Sequence, residues 1–587
     1  MTNHFELKME NRIEKLEWWQ KAVFYQIYPR SFWDSNEDGI GDLMDYEGRL
    51  DYLKDLGIDA IWLSPHYPSP LFDIGYDVAD YKDCAPEYGS MEDFRRLLDG
   101  THGRGMKLIL DLVLNHTSYA HTWFQESRSS RDNPKRDWYI WRDGADGRPP
   151  NNWVSPFGGS TWEFDPLTGQ YYYHFFFKEQ PDLNWRNPGV KQAMFDVVRF
   201  WLELGVDGYR LDAIGTVFEH PGMPDAHTAM TLAEHYKAAS EAKTEAEQAR
   251  LKKIWEDIFQ FQVEQAGMHE LMKELRKVVS EYPGSVLVGE NDDITYHGQD
   301  DELHMVFNFP LMKPERLSPS WIRQNQADRL AQLARISPTA WPCNTLGNHD
   351  SPRVYNRFGD GKNDAQLARL SLALMLTLRG TPFLYYGEEI GMTDLLLDDI
   401  SQFRDFLGIW FYEAEKRELG ASHAAALKLA AELTRDKCRT PMQWANVPNA
   451  GFCPPEVESW LPIHPNYAEG VNVEEQSGEE DSLLEFYRRL IGVRKAVPAL
   501  IAGDYQPINA GEKVDEDILA FLRSTPDQTV LVAMNFSEKP HSVGMLASVA
   551  PGSLRLIFSN HKNSGHNDMS LPVLAPFEVA IWETKLQ

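Results

Sequence analysis

The sequence predicts an α/β fold, a closed (β/α)8 (TIM) barrel carrying a small domain inserted after its third strand and followed by a C-terminal all-β sandwich. Three observations lead there. Eight apolar, β-rich runs recur along the chain with helical patterns between them, which is the signature of parallel strands joined by crossover helices. Most of these runs end in polar or charged residues, as barrel strands do at the face that carries the working loops. Beyond residue 508 the pattern changes to closely spaced strands separated by turns.

The eight runs are AVFYQIYPRSF (22–32), AIWLSP (60–65), KLILDLVLNH (107–116), GYRLDA (208–213), SVLVGE (285–290), HMVFNF (304–309), PCNTLGNHD (342–350) and TPFLYYGEEIG (381–391). Helical spacing of apolar residues fills the gaps, as in YEGRLDYLKDLG, MEDFRRLLDGTHGRG, VKQAMFDVVRFWLELG and QLARLSLALMLTLRG. The first part of the barrel is read as 1–116 and the second as 185–507. Between them, 117–184 is rich in Trp, Tyr, Phe, Gly and Pro and reads as the inserted domain. An Ala/Glu/Lys-rich helical excursion is expected within 217–280, and an insertion, helical first and then loop-like, at 395–460. DILAFLRST, TVLVAMNFS, LRLIFSN and FEVAIWET supply the strands of the C-terminal domain, read as 508–587.

The chain of 587 residues is long enough for a large core and more than one folding unit. A net charge of -30 argues against a nucleic-acid partner. Four scattered cysteines with no CxxC spacing read as reduced thiols rather than a disulfide or zinc framework. The start, MTNHFELKMENRIEKLEWW, has no apolar signal-peptide core, and no run approaches a membrane span. A cytoplasmic location, no membrane partner and a monomer or homodimer are the expectations. Aromatics at 12% suit either a core or a site that stacks on sugar rings.

GYRLDAIGT (208–216) places Arg210 and Asp212 on one face of a strand, because side chains two apart point the same way. An isolated pair of this kind reads as an internal ion pair. Glu290 and Asp350 stand at the ends of two further runs, so three acids share the predicted rim, two beside basic or imidazole groups (Arg210, His349). Paired carboxyl groups across one bond are what glycosidic cleavage needs: one protonates the leaving oxygen and the other supports the anomeric carbon. Each acid alone reads as structural; three at one rim do not.

DLVLNH (111–116), GYRLDAIGT, VGEND (288–292) and TLGNHD (345–350) resemble, in order and spacing, the four conserved regions of the α-amylase family of glycoside hydrolases (family 13). QPDLNW (180–185), RTPMQW (439–444), GTPFLYYGEEIGM (380–392) and the opening WWQKAVFYQIYPRSFWDSNEDGIGDL resemble its α-glucosidase and oligo-1,6-glucosidase branch, nearly end to end. The resemblance implies Asp212 as the nucleophile that forms a β-glucosyl-enzyme, Glu290 as acid/base and Asp350 as transition-state stabiliser. It implies that Arg210 keeps Asp212 ionised and oriented, and that His116 and His349 bond sugar hydroxyls. Asp73 and Tyr76 would line the pocket, with Arg439 paired to Asp73 to close its far end and make the enzyme exo-acting. Phe176 and Gln180 fall at positions lining the same pocket; Phe176, within FFF, reads equally as core.

By the same resemblance, retention of configuration is expected, and Ala213 after the nucleophile points to α-1,4-linked substrates such as maltose. Short oligosaccharides, sucrose or aryl glucosides are further substrates, and oligo-1,6-glucosidase or sucrose hydrolase, transglucosylase or isomerase are alternative activities on this site. The RLDRY-type loop associated with sucrose isomerases is not found after NHDSPRVYNRFGD. A non-catalytic module is disfavoured because all three acids are present, and an open-cleft endo-amylase because of Asp73, Arg439 and QPDLNW. Finally, DSNEDGIGD (34–42) spaces Asp34, Asn36, Asp38, the Ile40 carbonyl and Asp42 like successive ligands of a calcium loop. It also resembles the loop after the first strand in this branch, so a structural Ca²⁺, or less well Mg²⁺, is expected.

Overall fold

The structure, a computed structural model, describes residues 14–314, 316–508, 516–542, 554–561 and 573–584. The first thirteen residues, part of the segment read for a leader, and the remaining stretches of the predicted C-terminal domain lie outside the described residues. In chain order the strands are β1 (Phe24–Ile27), β2 (Ala60–Leu63), β3 (Lys107–Val113), β4 (Trp141–Arg142), β5 (Trp162–Asp165), β6 (Gln170–Tyr173), β7 (Gly208–Asp212), β8 (Val286–Gly289), β9 (Met305–Val306), β10 (Cys343–Thr345) and β11 (Thr381–Tyr385). The C-terminal region adds β12 (Asp504–Pro507), β13 (Ile518–Ser524), β14 (Thr529–Asn535), β15 (His541–Ser542), β16 (Leu554–Ser559), β17 (Val573–Leu574) and β18 (Val579–Thr584).

Eight parallel strands form one sheet in the order β10-β11-β1-β2-β3-β7-β8-β9, and a parallel bridge from Phe307 to Cys343 joins its two ends into a nearly closed barrel. Alternation along the strands sorts the core into two layers. Phe24, Ala60, Trp62, Ile109, Val286, Val288, Phe307, Cys343 and Phe383 pack together in the lumen. Tyr25, Ile61, Leu110, Tyr209, Leu211 and Leu287 belong to the larger cluster beneath the outer helices. All eight strands fall within the predicted runs but are shorter. The run at 22–32, for instance, yields four strand residues before Pro29, whose fixed φ favours the first turn of a helix, opens the turn Pro29–Phe32. The polar ends therefore become loops over the barrel mouth.

The helix Pro188–Leu204 shows how local sequence sets the frame. The Asn187 side chain caps the Gly189 N–H, proline occupies the first turn, Gly205 closes the helix at φ 106°, and Val190, Met194, Val197, Val198 and Trp201 bury its inner face. It delivers the chain to Gly208, where a Cβ would collide with the Val286 backbone, so only glycine lets β7 lie this close to β8.

Three excursions stand over the mouth. The insertion after β3 holds the antiparallel sheet β4-β6-β5 and returns to the barrel through bridges from His116 to Asp182 and from Tyr139 to Leu183. The expected excursion after β7 is helical at Leu232–Glu241 and Glu245–Phe259 and packs Leu232, Ile254, Ile258 and Phe259 against Trp153, Trp162 and Phe175 of the insertion. The stretch after β11 forms the helices Phe406–Arg417 and His423–Leu433, whose core includes contacts from Phe157, Phe177 and Tyr236. The C-terminal region is a five-stranded antiparallel sheet, β12-β13-β14-β18-β16, with the ribbon β15-β17 beside it. Its first strand begins at Asp504, four residues earlier than read from sequence, directly after the helix Pro498–Ala502. Buried Arg523 bonds the carbonyls of Thr377 and Gly503, fastening that sheet to the barrel.

Candidate active site

Arg210, 1% exposed, leaves β7 into the lumen and sets out the site. One terminal nitrogen lies 2.7 Å from Asp212 Oδ1 and 2.7 Å from Asp111 Oδ1 at the inner face of β3. The other lies 2.7 Å from Glu290 Oε2, just past β8. The Ala213 N–H also donates to Glu290 Oε2 at 2.9 Å, and Ala213 holds φ 40°, so the chain turns sharply after Asp212. Three carboxylates thus share one guanidinium. Burial pushes the Asp212 carboxyl well above its ordinary value, Arg210 pulls it back, and Glu290 and Asp111 push it up again. Burial likewise lifts Asp111, to about 6, against the pull of Arg210. Arg210 therefore orients Asp212 and draws its carboxyl towards the ionised form, with its charge divided among three acids.

A buried chain of hydrogen bonds runs back from this group. The Tyr76 hydroxyl donates to Asp111 Oδ2 at 3.0 Å and lies 2.6 Å from His349 Nε2, while the Gln26 amide donates to His349 Nδ1 at 2.7 Å. With Nδ1 accepting, the proton of a neutral His349 sits on Nε2, facing Tyr76 and, at 3.2 Å, Asp350 Oδ2. Burial keeps the ring neutral by pushing its pKa well below the usual value. Tyr76 and His349 stack with centroids 5.3 Å apart and planes at 6°. Asp350 is raised by burial, yet His349, Arg439 and Arg435 hold it below the usual carboxylate range.

The pocket's far end is built around Asp73. The Gln180 amide donates to Asp73 Oδ2 at 3.0 Å and lies 2.9 Å from His116 Nε2; the Phe176 ring meets His116 edge-on at 5.2 Å. Phe176 also belongs to the cluster between the insertion and the excursion, so it serves both the pocket wall and the core. Burial pushes His116 down to about 3, leaving a neutral imidazole. The expected partner of Asp73 is corrected. Arg435, not Arg439, pairs with Asp73 at 2.7 Å, and it also holds Asp405 at 2.6 Å. Arg439 donates to Asp350 Oδ1 at 2.6 Å and to the His349 carbonyl at 2.8 Å. The tight turn Asp436–Cys438 lies between the two arginines and sends them to different acids.

Every residue expected to line the pocket therefore gathers at one end of the barrel, and five more join them: Asp111, Gln26, Arg435, Asp405 and Trp62, whose indole N–H donates to Asp111 Oδ2 at 3.1 Å. Asp111 lay inside the quoted DLVLNH, two strand positions from Val113 and on the lumen face. Arg435 lay four residues before Arg439. Gln26 had no signal beyond being polar within an apolar strand. The loop at 34–42 stands apart from this group. Asp34 accepts the N–H groups of Glu37 and Gly39, Asp42 those of Ser35, Asn36 and Met44, and Asn36 Nδ2 donates to Asp38. The Ile40 N–H donates to Asp38, and no group of three or more acidic, His or Cys side chains that could hold a metal occurs among the described residues. The loop carboxylates cap the loop's own backbone; burial raises the pKa of Asp34, and Asp38 lies near enough to raise it further.

The α-amylase catalytic-domain family matches residues 26–503. Among curated proteins, an oligo-1,6-glucosidase from Parageobacillus thermoglucosidasius is 37% identical over 97% of this chain and 99% of its own length. A probable α-glucosidase from Rhizobium meliloti is 39% identical over 89% and 90%. Among solved structures, trehalulose synthase MutB from Pseudomonas mesoacidophila MX-45 is 36% identical, covers 97% of this chain and 100% of that one, and superposes with a TM-score of 0.83. An isomaltulose synthase from Erwinia rhapontici NX5, solved with sucrose, has the same identity, coverage and score. The eight-stranded barrel, the acids at its mouth and these end-to-end likenesses agree: the chain belongs to the α-amylase family of glycoside hydrolases, in the branch of the oligo-1,6-glucosidases and α-glucosidases.

Proposed function

We propose that the protein is a retaining, exo-acting α-glucosidase that releases α-glucose from the non-reducing end of short α-glucosides, prefers α-1,4 linkages and transfers some glucose to sugars. One observation carries the reading: Asp212 and Glu290 are bridged by a single guanidinium, and the Asp73–Arg435 pair, joined to the same group of side chains, would close the far end of the pocket. Two carboxyls hooked to adjacent nitrogens suit the ~5 Å spacing of retaining enzymes rather than the wider gap that admits a water. Asp212 attacks the anomeric carbon; Glu290 protonates the leaving oxygen and then activates the incoming water or sugar. Asp350, kept ionised by Arg439, grips hydroxyls that tighten as charge develops, while neutral His116 and His349 bond neighbouring hydroxyls. Tyr76 presents its ring to the glucose face.

The likeness to oligo-1,6-glucosidases and to sucrose-converting structures supports a second reading, in which the same site prefers isomaltose or sucrose. The two are separated by time-resolved proton NMR with maltose, isomaltose and sucrose in parallel. The proposal expects maltose to be consumed fastest, with α-glucose above its equilibrium share at early times. Faster loss of isomaltose or sucrose would replace the linkage assignment; an early β-glucose share above equilibrium would refute retention. For the loop at 34–42 we propose a structural Ca²⁺, supported by its series of hard oxygen donors; no catalytic step passes through it.

A further inference from the structure

We infer that Glu264, at the end of the excursion after β7, is a positioning residue that fixes the acid/base carboxyl of Glu290 relative to the nucleophile. This rests on the proposed roles of Asp212 and Glu290. Three bonds converge on Glu264. Its N–H donates to the Gly215 carbonyl at 2.7 Å, in the turn that follows Asp212. Its carboxylate accepts from Asn291 Nδ2 at 2.7 Å, in the residue after Glu290. The Tyr296 hydroxyl, on the turn Ile294–His297 of the same loop, donates to its other oxygen. Glu264 thereby ties the turn after the nucleophile to the loop bearing the acid/base.

The local backbone is arranged for this. Glu264 holds φ 55°, a left-handed conformation costly for a residue with a side chain. A Cβ at Gly215 would collide with Glu264 Oε1, so glycine there leaves room for the carboxylate. Tyr296 is 1% exposed, which anchors one end of the clamp in the core. The Ala213 N–H on Glu290 Oε2 is then a cross-tie between the two pieces that Glu264 holds in register.

A loose acid/base costs most when the leaving group is poor, because good leaving groups depart without a proton. The test is a series of aryl α-glucosides of similar size and graded leaving-group pKa, run on wild type, Glu264→Ala, Glu264→Gly and Glu264→Gln. Glu264→Gly keeps the left-handed backbone free of strain and guards against loss through misfolding. We expect kcat/KM for phenyl α-glucoside to fall about tenfold in the Ala and Gly variants while that for the 2,4-dinitrophenyl compound changes less than about twofold, steepening the Brønsted slope. Glu264→Gln, which retains one accepting oxygen, should lie between. Equal loss across the series, or no loss, would overturn the inference. Glu290→Gln is the reference: if it does not steepen the slope, the acid/base assignment itself fails, and the two failures are told apart.

Discussion

Arg435 and Arg439 show how much a single position decides. Arg439 is buried and Arg435 nearly so, four residues apart, and their closest acids differ: Arg435 holds Asp73 and Asp405, and Arg439 holds Asp350. Burial raises Asp405, but Arg435 brings it down to about 2, so the pair is ionised at any working pH. Removing a partner from a buried pair leaves an uncompensated charge and costs ~3–5 kcal/mol. We therefore expect Arg435→Ala to lower the denaturant midpoint markedly and to cut kcat/KM for maltose by about a hundredfold, mainly through KM, because the closed end of the pocket is lost. Steady-state kinetics and urea unfolding check this. Arg435→Lys should recover stability better than binding, since a lysine cannot hold two carboxylates in a fixed fork. Sequence led to RTPMQW and hence to Arg439; the arginine that reaches Asp73 stands one turn earlier, and nothing in the chain's pattern distinguishes the two.

At the scale of elements, the strand ends bring the acids of the site together, and the turn after β11 buries two more. The turn Glu388–Ile390 after β11 buries two carboxyls; burial pushes Glu388 up to about 8, and its Oε1 has no hydrogen-bond partner among the described residues. The native chain therefore keeps a proton on Glu388 that the unfolded chain releases above its ordinary value near 4.5. Between those two values the folded state binds more protons than the unfolded state, so stability falls as pH rises, and the fall ends above about 8. Glu388→Gln should flatten this part of the profile: relative to wild type, the variant gains ~1–3 kcal/mol on going from pH 5 to pH 8, measured by denaturant unfolding. An unchanged difference across that range would show that Glu388 is ionised in the fold. Strand and helix positions were legible because period-2 and period-3.6 patterns differ so plainly in KLILDLV and VKQAMFDVVRFWLEL. Strand lengths were less so, because Pro29 and the polar ends of β10 and β11 break the ladder by backbone chemistry that hydrophobic pattern does not register.

Over the whole molecule, three excursions from unrelated parts of the chain converge on one mouth. Tyr236 of the excursion after β7 meets Trp410 and Phe411 of the stretch after β11, and Phe157 of the insertion after β3 packs beside Arg435 at 5.3 Å. Such contacts join residues more than 170 positions apart, which is why the pocket's walls could be named from sequence but not assembled. The loop at 34–42 is tied into this assembly through the Gly39 carbonyl, which accepts the Trp460 N–H at 2.9 Å. If it binds Ca²⁺ as proposed, millimolar Ca²⁺ should raise the melting temperature over that in chelator by a few degrees, about 2–5 °C, with kcat little changed. No difference would assign the loop to its own hydrogen bonds. No helix among the described residues is long and apolar enough to cross a membrane. We propose above that Asp212 forms a glucosyl ester while Glu290 handles the proton. The most direct measurement is to incubate the protein with 5-fluoro-α-D-glucosyl fluoride and map the adduct by peptide mass spectrometry. One fluoroglucosyl group on Asp212, with activity lost in step, is the predicted result. Labelling on another acid, or inactivation without a covalent adduct, would contradict the account.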